Sequence, residues 1–168
     1  QNYFMFWDKL EKANYFLECI IDSASEDWNS RIVMHLLSNP IEDGGQWDMC
    51  VSLIDKYGVI PQSEMSESFS SSQSATMNRM IARKLRENAK DLRQNIGKGV
   101  SGDDLESIKT DMLEEIYKML AMHIGSPPTS FNWQAHDKKK KFISFENLTP
   151  KSFFDNHVGL NLDEYVCL

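Results

Sequence analysis

The sequence has 168 residues and a formal charge of −7, from 18 Lys+Arg against 25 Asp+Glu, with a pI near 5.1. At 41% hydrophobic and 11% aromatic it can bury one domain-sized core, which excludes a wholly disordered chain. The acid excess makes nucleic acid an unlikely main partner, because phosphate binding needs a basic footprint, and the apolar runs fall far below the roughly 20 residues that span a bilayer, so no membrane segment is expected.

The first helix is expected over residues 1–22. Phe4, Trp7, Leu10, Leu17 and Ile21 recur at helical spacing, and Asp8, Lys9, Glu11 and Lys12 make a polar face. Tyr3, Phe6 and Phe16 add apolar bulk on other sides, which predicts deep packing. A second helix fits 27–38, with Trp28, Ile32, Met34, Leu36 and Leu37, and Asn39-Pro40 ends it. Asp43-Gly44-Gly45 reads as a turn. A third helix, 46–57, carries Trp47, Cys50, Val51 and Ile54 and stops at Gly58.

Residues 61–75 have no period and many turn formers, so a boundary is expected there. Two long helices follow. The first, about 73–96, lines up Met77, Ile81, Leu85, Ala89, Leu92 and Ile96 on one side and a basic face on the other. The second, about 102–124, opposes Leu105, Ile108, Met112, Ile116, Met119 and Leu120 to an acidic face, with Ser101 and Asp104 resembling a capping box. Their short link predicts antiparallel neighbours with complementary charged rims around an apolar seam.

Residues 129–135 alternate loosely like a strand, 137–141 turn on four lysines, and 142–145 return. Thr149-Pro150 reads as an N-cap and first helical residue. The chain opens on Gln1 with no sign of a signal peptide, and ends on Tyr165-Val166-Cys167-Leu168, which reads as the opening of a strand. An internal stretch of a longer protein is expected. The fold class predicted from these elements is α+β, mostly helical.

Few residues carry chemistry. His35, His123, His136 and His157 are dispersed and lack metal-ligand spacing. Three widely spaced cysteines fit a reducing compartment, and Cys19 and Cys50 read as buried structural thiols. Gly97-x-Gly99-x-x-Gly102 has dinucleotide spacing but lies between helices, and so reads as linker. The segment Asn39–Met49 stands apart. Its paired glycines leave backbone N–H and C=O groups uncovered, where an extended peptide could pair as an added strand. The plainer reading of the same segment is a tight turn before a helix.

The run Gln1-Asn2-Tyr3-Phe4-Met5-Phe6-Trp7-Asp8-Lys9-Leu10-Glu11-Lys12-Ala13-Asn14-Tyr15-Phe16-Leu17 resembles the bleomycin hydrolase/aminopeptidase C family of papain-like cysteine peptidases. Asp43-Gly44-Gly45-Gln46-Trp47-Asp48-Met49, Lys56-Tyr57-Gly58-Val59-Ile60-Pro61, Met77-Asn78, Gly125-Ser126-Pro127-Pro128 and Leu148-Thr149-Pro150 resemble the same family in the same order. The resemblance implies part of a papain-like fold: 1–60 in the nucleophile-side lobe, 61–126 a helical insertion, and 127–168 a β-hairpin leading to a barrel lobe. It implies a cytoplasmic aminopeptidase, often a homohexamer, that acts on peptides by Cys-His-Asn acyl transfer without a cofactor. The family's nucleophile, base and Asn are not matched in this stretch, so the chain alone is expected to be inactive. Gly45 matches the glycine that pairs with substrate backbone, Gly44 lies beside it, and Gln46 and Trp47 match the edge of the same cleft wall. Two rival readings stand beside this one. One is a non-catalytic helical module that docks a partner; the other is a nucleic-acid-associated module using Lys138–Lys141.

Overall fold

The computed structural model describes residues 1–165; Val166, Cys167 and Leu168, the body of the strand expected at the end, lie outside the described residues. The helices are α1 (Asn2–Asp22), α2 (Arg31–Ser38), α3 (Trp47–Tyr57), α4 (Phe69–Ser72), α5 (Ala75–Gly97), α6 (Asp103–Ile124) and α7 (Pro150–Phe153). Strands β1 (Phe131–His136) and β2 (Phe142–Leu148) form a two-stranded antiparallel sheet. The class is the expected one, α+β and mostly helical. No helix among the described residues is long and apolar enough to cross a membrane.

One core joins α1, α5 and α6. Phe6, Leu17 and Ile20 from α1 are completely enclosed, as are Ile81, Leu85 and Leu92 from α5 and Ile116 and Leu120 from α6. At about 1.5–3 kcal/mol per fully buried aliphatic or aromatic side chain, this seam is the main source of stability. The buried stripe of α1 runs through Tyr3, Phe6, Lys9, Ala13, Phe16, Leu17 and Ile20. Of the expected Phe4, Trp7, Leu10, Leu17 and Ile21 line, Leu17 is enclosed and the other four are half-buried, so the buried stripe lies about one step round the helix. The reason is that α1 packs on both long helices and so buries a wider arc than one stripe. Lys9, expected on the polar face, is 1% exposed.

Several local expectations are corrected. The second helix starts at Arg31, with Ser30 as its N-cap, because the Asp27 carboxylate accepts from the Asn29 N–H at 2.8 Å and holds 27–30 as a turn. Of its apolar residues only Val33 is buried, while Ile32 and Met34 lie open. The loop at 61–75 contains α4, closed by a reciprocal Ser68–Ser71 capping box. Helix α6 has Gly102 as its N-cap, with no side-chain cap, in place of the Ser101–Asp104 box. Cys19 and Cys50 are half-buried rather than enclosed.

The complementary rims are also absent. Among the described residues a single ion pair joins α5 to α6, Lys84 to Glu115 at 2.9 Å. Two cations of α5 reach backbone carbonyls instead. Arg86 donates to the Leu37 and Ser38 carbonyls at 2.8 and 2.9 Å, and Arg93 donates to those of Ser23 (2.8 Å) and Glu26. These carbonyls end or follow α1 and α2, where helical partners run out and a cation is favoured.

Helix α3 ends against α7. Gly58 has φ +71°, and a Cβ there would lie 2.3 Å from the Pro150 carbonyl carbon, so only glycine fits this crossing. The Val59 N–H donates to the Pro150 carbonyl at 3.2 Å. As expected, Thr149 caps α7 and Pro150 opens it. In the hairpin, the Asp137 carboxylate accepts from the Lys139 and Lys141 N–H groups at 2.8 and 2.9 Å and so shapes the lysine turn. The return strand runs on to Leu148. A bulge between the Trp133–Phe145 and Phe131–Leu148 pairs puts an extra residue in β2 and Asn147 in the left-handed region.

Candidate functional site

The segment 39–46 is a strap between α2 and α3, with no ladder of its own. Pro40 and Ile41 anchor it in the core. Beyond them the strap is exposed, and polar groups fix it. Lys9 Nζ donates to the Glu42 carbonyl at 2.7 Å and pairs with Asp43 Oδ1 at 2.6 Å. Lys12, paired with Asp8 at 2.7 Å, reaches the Glu42 carbonyl at 3.2 Å and also the Gly44 carbonyl. The second Asp43 oxygen accepts from Ser74 Oγ at 2.9 Å and Asn78 Nδ2 at 2.7 Å, both from the start of α5. Burial works to raise the Asp43 pKa, but the hydrogen bonds from Lys9, Asn78 and Ser74 outweigh it and hold the carboxyl below its usual range.

Gly44 sits at φ +91° with open space where a Cβ would be, a conformation that suits glycine. Gly45 is exposed, and among the described residues neither its N–H nor its C=O has a hydrogen-bond partner. Gln46 caps α3 through its backbone only, its side chain exposed. Trp47, half-buried, opens α3 and faces the Tyr165 ring at 6.4 Å. Gly44, Gly45 and Gln46 rim a groove of about 410 Å³, whose apolar floor includes Phe4, Met5, Met49 and Leu53; Trp47 does not line it.

The groove can hold a chain but carries no means of cleaving one. Cys50 lines it, yet burial pushes its thiol pKa up, away from a thiolate. Among the described residues no histidine lines it. His157 packs among Trp133, Phe145 and Phe153, and His123 lies in the last turn of α6 with its ring 3.5 Å from Ser70 Oγ. No group of three potential metal ligands occurs among the described residues. Lys9, Lys12, Ser74 and Asn78 belong to no motif that marks them for the strap. The signal for Lys9 was its place between Phe6 and Ala13 in the most apolar stripe of α1.

Comparison with known proteins places the chain. All of residues 1–168 match the model of the Peptidase C1-like family, and the chain belongs to that family. It is 47% identical over 168 residues to aminopeptidase C of Listeria monocytogenes, covering all of this chain and 37% of that protein. It is 37% identical over 172 residues to bleomycin hydrolase of Gallus gallus, covering all of this chain and 38% of that one. The crystal structure of PepW from Lactobacillus rhamnosis superposes with a TM-score of 0.93 at 45% identity, over 98% of this chain and 37% of PepW. The architecture is therefore part of a papain-like cysteine peptidase fold, and the chain spans under two-fifths of the length of these relatives.

Proposed function

We propose that the complete protein is a cysteine aminopeptidase that removes N-terminal residues from peptides, and that this chain supplies the strip against which the substrate backbone lies. The supporting observation is Gly45: exposed, unpaired on both backbone groups among the described residues, and set at the rim of an apolar groove. An extended peptide can pair with such a backbone edge as an added strand and lower a side chain toward Phe4, Met5, Met49 and Leu53. Gly44 lies toward the next residue of the peptide, and Gln46 stands at the edge of the same wall, with Trp47 following it at the start of α3 outside the groove lining. The thiolate, its imidazole partner and the orienting Asn are supplied from outside this chain. They perform acyl transfer, in which the thiolate attacks the scissile carbonyl and the resulting acyl-enzyme is hydrolysed. On this reading residues 1–60 belong to the nucleophile-side lobe, 61–126 form a helical insertion, and 127–168 lead toward the second lobe. The whole is a cytoplasmic homohexamer.

Two backbone hydrogen bonds at about 0.5–1.5 kcal/mol each correspond to about a tenfold change in substrate capture. Gly45→Val in the complete enzyme is expected to lower kcat/KM for an aminoacyl substrate by about that factor. The fold should tolerate it, since a Cβ there meets nothing nearer than Met49 Sδ at 3.4 Å. An unchanged kcat/KM would overturn the proposal.

A further inference from the structure

A glycine strip can bind a peptide only if something holds it still. Gly44 and Gly45 have no Cβ to restrict them, and the strap has no strand partner. What precedes them is an unusual set of contacts. The Lys9 ammonium is withdrawn from solvent into the α1 stripe, yet both its contacts belong to the strap: the Glu42 carbonyl and the Asp43 carboxylate. An apolar side chain at position 9 would serve the core as well or better, because desolvating a charge offsets most of what its partner returns. Asp43 in turn ties the strap to a third element, α5, through Ser74 and Asn78. Lys12 then takes the Gly44 carbonyl. A glycine at φ +91° can flip its peptide planes easily, so this bond selects one orientation and leaves the next residue's N–H and C=O for the groove.

We infer that Lys9, Asp43, Ser74 and Asn78 form a positioning clamp that fixes the height and orientation of the Gly44–Gly45 strip, so that the start of α5 contributes to substrate capture; Lys9, Asp43 and Ser74 also line the groove, whereas Asn78 acts from outside its lining. The inference rests on the strip reading given above and adds residues to it. The clamp acts on binding and not on the chemical step. Its loss should therefore appear in KM and leave kcat nearly alone.

The test uses the complete enzyme with an aminoacyl substrate, and iodoacetamide as a small thiol reagent that needs no backbone pairing. Asp43→Asn is close to isosteric and removes the charge facing Lys9. It is expected to raise KM about tenfold, with kcat within about twofold and the inactivation rate by iodoacetamide unchanged. Ser74→Ala/Asn78→Ala leaves the ion pair in place and should raise KM about threefold. If Asp43→Asn does not fold, the double variant decides alone. A folded Asp43→Asn enzyme with KM within about twofold of the original overturns the clamp. So does a parallel fall in kcat and alkylation rate, which would mark a merely structural role. Gly45→Val, run alongside, separates the two ideas. If it is impaired while the clamp variants are normal, the clamp fails alone; if it too is normal, the strip reading fails.

Discussion

The three-helix core and the segment from Ser23 to Gly45 are held by different physics. In the core, side chains from α1, α5 and α6 enclose one another, and single hydrophobic positions carry the stability. In the outer segment only Val33, Pro40 and Ile41, with Ser23, are buried, and α2 leaves Ile32 and Met34 in solvent. Its fixings are long cations reaching out from α1 and α5. Lys9 and Lys12 hold the carbonyls of Glu42 and Gly44, and Arg86 and Arg93 hold those of Leu37, Ser38, Ser23 and Glu26. Arg93 also lies over the Trp28 ring at 4.4 Å. Such bonds set where a backbone runs while adding little to global stability, which suits a strap whose use is to present a backbone edge.

Adjacent residues on α5 put the contrast on one helix. Leu85 is fully enclosed, whereas Arg86 is exposed and serves the end of α2. Leu85→Ala is expected to cost about 2–5 kcal/mol, the lost transfer energy plus a cavity that the long helices cannot collapse around. Urea unfolding followed by circular dichroism measures it. A loss well under about 1 kcal/mol would mean that the seam is not the main source of stability.

This division also governs what the sequence could tell. Periodicity located α1, α3, α5 and α6 to within a residue or two, because apolar spacing is a local signature of a buried face. Capping chemistry placed Thr149-Pro150 for the same reason. The strap's contacts are not local. Asp43 meets Ser74 and Asn78 across 31 and 35 residues, and no pattern along the chain announces that pairing. Charge patterning does not reveal which cation meets which partner: Arg86 and Arg93 answer backbone carbonyls, and among the described residues only Lys84 pairs with α6. The glycines of the strip were visible as glycines; the groove beside them, and the lysine behind them, required the fold.

The junction of α1 with α3 stands between the two regimes and adds a pH-dependent prediction. Tyr57 stacks on Trp7 with ring centres 3.9 Å apart, donates its hydroxyl to Glu11, and lends its carbonyl to Tyr3 Oη at 2.7 Å. Burial, then the Glu11 carboxylate, pushes the Tyr57 pKa from 10.0 up to about 12. The folded state thus prefers the neutral phenol. Its contribution is complete below about pH 10, the unfolded value, and is lost as pH rises through about 12. Allowing for partial solvent screening, the loss should be about 1–2 kcal/mol. Tyr57→Phe should flatten this slope in urea titrations over that range; an equally steep slope in the variant would assign the alkaline loss to other groups.

Arg86 sharpens the comparison with the smallest effect. Its guanidinium bonds the last carbonyls of α2 from an exposed position, so Arg86→Met keeps the aliphatic stem and removes only the two donations. Global stability should fall by about 1 kcal/mol or less, since cations at helix ends contribute about 0.3–1 kcal/mol. The local effect should be clearer. With Val33 buried and only Leu36 and Leu37 half-buried on the core, α2 is held less firmly than the long helices, so its amides should exchange with solvent several-fold faster while those of Leu85 and Ile116 stay unchanged. Exchange that quickened equally in α2 and in the core would mean the two regions open as one unit. The strap would then be no more than an extension of the bundle it lies on.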